Sequence, residues 1–318
     1  MNPTKALHDL GQSLWLDNIT RNLVNSGTLQ RYIDELSVTG LTSNPTIFDH
    51  AIKNSVDYDG EISKNASHAN LPEDLFFELA LGDLTRAADL FRPIFERTDG
   101  VDGWVSLEVS PVLAHDTKRT LAAARDLHQR GGKPNLFIKI PGTAEGLPAI
   151  DAAIFAGVPI NVTLLFSREQ YVAAAEAYLR GVERRIEAGL NPAVASVASL
   201  FISRWDVAIS GKVPSELSNR LGIAVAQRTY KTYLELLASR RFQRAANAGA
   251  RAAESAQAAI PPQQVAAIDE IGDKSSRYRE RRHHASTPKR ACAQLQSTFD
   301  SLSPEGIGEV QGGGEQSR

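Results

Sequence analysis

Short runs rich in apolar and β-branched residues alternate along the chain with longer stretches whose apolar positions recur at helical spacing. SLWLDNI (13–19) is the first run. Ser26–Leu36 follows it, with Leu29, Ile33 and Leu36 on one face, the pattern of an amphipathic helix. VTGLTSNPT (38–46) predicts a strand and turn. A long helix is expected from Pro72 to Phe95, where Leu75, Leu79, Leu84 and Leu90 recur. WVSLEVSP (104–111) is the third strand, and helix Thr117–Gln129 leads to NLFIKIPGT (135–143), the fourth. A helix over PAIDAAIFAG (148–157) precedes PINVTLLFS (159–167), the fifth. Helix Arg168–Ala188 leads to AVASVASLFISRWD (193–206), the sixth, and a helical stretch from Glu216 to Ala238 ends near FQRAANAGAR (242–251).

Strand–helix alternation of this kind implies a parallel sheet with helices packed on it. Two architectures satisfy it, a doubly wound sheet and a closed barrel. No G-x-G-x-x-G follows the first strand and no G-x-x-x-x-G-K-[ST] occurs in the chain, which weakens nucleotide binding. Polar residues recur where the apolar runs end: Asp17, Asn44, Glu108, Lys139, Asn161 with Thr163, and Ser199 with Arg204. In a (β/α)8 barrel of the TIM type those strand ends converge on one mouth, where catalytic groups collect. The expectation is therefore an α/β barrel domain over residues 1–251.

The remainder, 252–318, is rich in Ala, Gln, Ser and Arg and lacks a β-branched run that could serve as a barrel strand. It is expected to be disordered or loosely helical, with short helices at Gln263–Ile271 and Ala291–Leu302. Only six of eight barrel strands are recognisable. Composition adds a few exclusions. The formal net charge of -2 and the absence of a basic block before residue 277 argue against nucleic acid as a partner. SSRYRERRHH (275–284) reads as solvated surface, and its two histidines lack metal-ligand spacing. A single cysteine, Cys292, rules out an intrachain disulfide and a cysteine-based metal cluster. The first residues carry no apolar signal segment and no run is long enough to span a bilayer, so a cytoplasmic protein is expected.

Lys139 is the sharpest chemical signal. Strand alternation puts it on one face with Phe137, and Leu136, Ile138 and Ile140 on the other. Burying a charged lysine is expensive, and desolvation favours the neutral amine that Schiff-base chemistry needs. An edge-strand lysine in solvent and a structural ion pair fit the same segment. Glu108 suits proton transfer beside that site or a salt bridge. Asp17 suits the same chemistry or a helix cap. Asn44 lies in a Ser-Asn-Pro turn sequence. Asn161 and Thr163 alternate onto one face of an otherwise apolar strand and so require partners or a ligand. Arg204 suits an anion or the surface. Trp15, Trp104 and Trp205 suit core or rim packing.

Taken in order and spacing, DNI with TSNPTIF, SLEVSP, FIKIPGT, INVTLLFS and SLFISRWD resemble the bacterial transaldolases over about residues 5 to 251. The resemblance implies a class I aldolase-type barrel that needs no metal and no cofactor and acts on sugar phosphates. It implies that Lys139 forms the Schiff base and that Asp17 moves the proton on the sugar hydroxyl. Glu108 and Thr163 would hold a water that shuttles protons. Asn44, Asn161 and Ser199 would bind the dihydroxyacetone unit, Arg204 the phosphate, and Phe201 would line the mouth. The reaction implied is transfer of dihydroxyacetone from sedoheptulose 7-phosphate to glyceraldehyde 3-phosphate, in the non-oxidative pentose phosphate pathway. A fructose-6-phosphate aldolase-like enzyme is the alternative. The family continues with two further strands that this chain lacks in recognisable form after NAGAR (247–251). A truncated or frameshifted barrel with impaired or no catalysis is a further expectation, as is a homo-oligomer joined through open sheet edges.

Overall fold

The computed structural model describes residues 3–43, 45–65 and 72–251. Helix α1 (Pro3–Asp9) precedes strand β1 (Leu14–Asp17), followed by α2 (Arg21–Asn25) and α3 (Thr28–Leu36). Strand β2 (Val38–Thr42) leads to α4 (Pro45–Lys53), α5 (Asp59–Asn65) and the long α6 (Pro72–Arg97). Then come β3 (Val105–Glu108), α7 (Thr117–Gly131), β4 (Leu136–Pro141), α8 (Gly146–Phe155), β5 (Ile160–Leu165) and α9 (Arg168–Glu187). The described part ends with β6 (Ser196–Leu200), α10 (Ser203–Ala208), α11 (Leu221–Leu237) and α12 (Arg240–Asn247).

The six strands among the described residues are all parallel and lie in sequence order, β1-β2-β3-β4-β5-β6. A doubly wound sheet reverses its strand order at a switch point; this one never does. Successive right-handed crossovers in one direction stack their helices on a single face, and the sheet curls around the other. This is the TIM-type arrangement expected from the sequence, described here for six strands. The helices expected at Gln263–Ile271 and Ala291–Leu302, and the proposed tail as a whole, lie outside the described residues.

Both faces of the central strands are buried, for different reasons. Leu107, Ile138, Ile140, Ile160 and Val162 join one core with Phe91, Ala124, Leu127, Ile150, Ile154 and Val182 of the covering helices. Phe137 is equally buried but points to the opposite face, where its ring stacks on Trp104 at 3.9 Å and on Trp15 at 6.2 Å. These aromatic residues close the inner side of the sheet toward the strand N-termini, as packed layers do in barrels. Gly40 makes room for them: a Cβ there would stand 2.7 Å from the Trp15 indole.

Local signals start and stop the helices. Asp116 caps α7 by accepting from Arg119 N, Ser167 caps α9 by accepting from Gln170 N, and Gly132 ends α7 in the left-handed region. The helix expected over Ser26–Leu36 is α3, whereas α1, α2, α4, α5, α10 and α12 go unread, and the expected sixth strand stops at Leu200 before α10 begins. The unread helices have only 5 to 9 residues, where periodicity has too few turns to register. Likewise the expected start at Glu216 is a 3-10 turn, and α11 begins at Leu221.

One buried ionic network ties the exit of β1 to α6. Arg21 donates to Asp83 at 2.9 Å and pairs with Glu61, and its guanidinium lies 4.3 Å over the Tyr58 ring. Tyr58 donates to Asp83 at 2.9 Å and accepts from Arg21 N at 3.0 Å. Burial pushes the Asp83 carboxyl pKa up, and its bonds from Arg21 and Tyr58 pull against that. Removing Asp83 would leave a guanidinium and a phenol buried without it. Asp83→Ala is therefore expected to cost about 3–5 kcal/mol in urea unfolding, far more than an exposed pair such as Lys53 with Asp49.

Candidate active site

The inner face of the sheet is built from alternate residues of adjacent strands. On β3 these are Ser106 and Glu108, on β4 Phe137 and Lys139, on β5 Asn161 and Thr163. Register aligns Glu108 with Lys139 and Lys139 with Asn161 in a row across three strands. All three are buried, with Lys139 only 1% exposed. This removes one alternative left by the sequence: the lysine lies on a central strand, not at an edge, and reaches the enclosed side of the sheet.

Two groups face its amine. Lys139 Nζ donates to the backbone carbonyl of Ser43 at 2.9 Å. The Glu108 carboxylate stands 3.1 Å away, an ion-pair separation. Glu108 Oε2 nevertheless lies off the line of a directed hydrogen bond. The pair is held by charge, while the directed bond goes to the carbonyl. Ser43 directly follows β2 and is fully buried; its hydroxyl donates to the Ser106 carbonyl at 2.8 Å.

A second chain of bonds orders the neighbouring strand. Ser199 Oγ donates to Asn161 Oδ1 at 2.8 Å, and Asn161 Nδ2 donates to Ser106 Oγ at 3.2 Å. Both ends of the Asn161 amide are thereby occupied and its orientation is set. Thr163, two residues on, is 1% exposed, and its hydroxyl has no hydrogen-bond partner among the described residues. The strand is irregular here: register shifts between Val162 and Leu165, and Leu164 adopts φ of 59°, the left-handed region that a leucine rarely visits. A bulge of this kind re-aims the side chains beside it, and such strain collects at functional sites.

Asp17 is the last residue of β1, buried, in register with Thr42 and on the same face as Trp15. Beyond β6, Phe201 is buried and Arg204 lies on α10 with its guanidinium 5.0 Å from the Phe201 ring and 6.0 Å from Phe166. Trp205 anchors that turn by donating to the Phe166 carbonyl at 2.7 Å. Asn44 lies outside the described residues. The structure thus joins Lys139 with Glu108, Asn161 with Ser199 and Phe201 with Arg204, each pair drawn from separate positions in the sequence.

Ser43 and Ser106 escaped the sequence reading. Each sits inside a quoted motif, TSNPT and VSLEVSP, but a serine in a strand end carries no distinctive pattern. Ser43 acts through its backbone, which sequence does not reveal. Among the described residues no group of His, Cys, Asp and Glu is arranged to hold a metal ion. No described helix is long and apolar enough to cross a membrane.

The chain is similar to proteins of known name. A transaldolase of Saccharopolyspora erythraea is 46% identical over 253 residues, covering 78% of this chain and 69% of the relative. A transaldolase of Thermobifida fusca is 43% identical over 258 residues, covering 79% and 70%. A protein named transaldolase 2 from a Nostoc species is 38% identical over 269 residues, covering 79% and 70%. The model of the family described as Transaldolase/Fructose-6-phosphate aldolase matches residues 14–309, running on past residue 251 where the recognisable motifs stop. With a buried lysine on the fourth strand of a sequentially ordered parallel sheet, and a family match from its first strand onward, this chain belongs to the transaldolase/fructose-6-phosphate aldolase family.

Proposed function

We propose that this enzyme is a transaldolase that moves a dihydroxyacetone unit from sedoheptulose 7-phosphate to glyceraldehyde 3-phosphate through a Schiff base on Lys139. The observation that carries the proposal is the enclosure of the Lys139 amine beside Glu108, at 3.1 Å, on the inner face of the sheet. The products are erythrose 4-phosphate and fructose 6-phosphate, which places the enzyme in the non-oxidative pentose phosphate pathway.

The steps follow from what each group can do. Lys139 Nζ attacks the ketose carbonyl carbon, and the carbonyl oxygen leaves as water. Glu108 and Thr163 hold the water that carries protons onto and off that oxygen; the unpartnered Thr163 hydroxyl supports this role. Asp17 takes the proton from the sugar's C4 hydroxyl as the C3–C4 bond breaks. The electron pair of that bond flows into the iminium, giving an enamine, and the aldose leaves. The enamine then attacks the acceptor aldehyde, Asp17 returns a proton to the new alkoxide, and hydrolysis frees Lys139. Asn44, Asn161 and Ser199 hold the three-carbon unit by its hydroxyls. Arg204 takes the phosphate, with Phe201 fixing its guanidinium. An enclosed pocket keeps the enamine from water until the acceptor arrives.

Incubation with fructose 6-phosphate followed by borohydride reduction tests the centre of this scheme. A three-carbon adduct mapped to Lys139 by mass spectrometry is expected, and Lys139→Ala should form none and lose transfer activity. A variant that transfers at the native rate without the lysine would end the proposal. Release of free dihydroxyacetone without an acceptor would identify the aldolase activity instead. Asp17→Asn should still trap dihydroxyacetone on Lys139 but cleave fructose 6-phosphate at least about 100-fold more slowly, since one general base is lost after the Schiff base forms. Arg204→Ala should raise KM for phosphorylated ketoses by about tenfold or more while leaving the trapping of unphosphorylated dihydroxyacetone unchanged, as loss of one charge-assisted contact predicts.

A further inference from the structure

We propose that the backbone carbonyl of Ser43 is the acceptor that holds the Lys139 nitrogen through Schiff-base formation, and that the Ser43 hydroxyl is the positioning group that aims this carbonyl. The proposal rests on Lys139 as the Schiff-base lysine and extends that reading to a residue without an assigned role.

Strand β2 ends at Thr42, whose register partner is Ser106, the last rung between β2 and β3. One residue on, the Ser43 hydroxyl donates to the Ser106 carbonyl at 2.8 Å and so replaces the next rung with a side-chain bond. The same residue accepts from Lys139 Nζ at 2.9 Å through its own carbonyl. Ser43 therefore bridges β3 and β4 from the end of β2. Its side chain fixes the direction in which its backbone oxygen points. The residue is fully buried, so solvent cannot replace either bond.

The chemistry asks for such an acceptor. In R–NH3+ + O=CR2 → R–NH+=CR2 + H2O, two of the three ammonium protons leave with the carbonyl oxygen as water. The third stays on nitrogen, in the plane of the new double bond. Its partner must accept a hydrogen bond without taking the proton. An amide carbonyl is a far weaker base than a carboxylate. Among the described residues, the Ser43 carbonyl is also the acceptor in directed hydrogen-bond geometry to Nζ, whereas Glu108 Oε2 stands beside the amine off that line. The labour divides accordingly: Ser43 holds the proton that remains, and Glu108 serves the protons that depart. Holding the N–H also fixes the plane of the iminium, and with it the face on which the C–C bond breaks.

The test uses the full-length protein, dihydroxyacetone labelled with 13C at the carbonyl, and Ser43→Ala beside Ser43→Thr. Isotope-edited infrared spectra give the iminium C=N stretch in H2O and D2O; the shift between them reports the hydrogen bond at N–H. Ser43→Ala is expected to shrink that shift and to lower kcat by about tenfold with KM within about twofold, the effect of losing one neutral bond. Ser43→Thr, which keeps the hydroxyl, should restore both. Should the alanine variant not fold, Ser43→Cys takes its place, being close in size with a much weaker donor, and the same losses are expected. A native iminium adduct whose frequency and isotope shift are unchanged in these variants would overturn the role of Ser43 while leaving Lys139 in place. No iminium on the native protein would overturn both.

Discussion

A lysine side chain held almost entirely out of water is the constraint on which the rest of the structure depends. Lys139 is 1% exposed in the middle of a sheet. Desolvating its charged form costs several kcal/mol, on the order expected for a buried ion, unless neighbours compensate. Compensation comes from a carboxylate on β3 and a carbonyl at the end of β2. Neither could reach the amine unless β2, β3 and β4 lay side by side, in parallel and in this register. The winding order of the sheet is thus what makes the lysine tolerable.

The layers around it divide the work. On the N-terminal side of the strands, Trp15, Trp104 and Phe137 pack into a dry floor, with Gly40 yielding space to the indole. On the C-terminal side, polar groups gather: the Ser199–Asn161–Ser106 chain, the bulge that holds Thr163, and the Phe201–Arg204 pair. The Arg21–Asp83–Tyr58 network then fixes the segment leaving β1, directly after Asp17, to the long helix α6.

Much of this was legible before any fold was known. The apolar runs located all six strands, and the polar residues at their ends marked Lys139, Glu108, Asn161 and Thr163 by alternation. The motifs then indicated the family, and the identity to relatives bears it out. Short helices were lost because two turns give periodicity little to act on. Ser43 was lost because its contribution is a backbone oxygen, which every residue has.

What the sequence determined by itself was therefore the order of elements, the face each strand residue takes, and the kind of chemistry available, because these depend on local periodicity and residue type. It left Lys139 divided between an exposed edge, an ion pair and a reactive amine. Only the tertiary structure removed the exposed edge, by placing Glu108 31 residues and Ser43 96 residues away in sequence within 3.1 and 2.9 Å of one nitrogen. The physical reason is that burial and hydrogen-bond partnership are properties of neighbours in space, and in a parallel sheet every neighbour is separated from the next by a whole crossover.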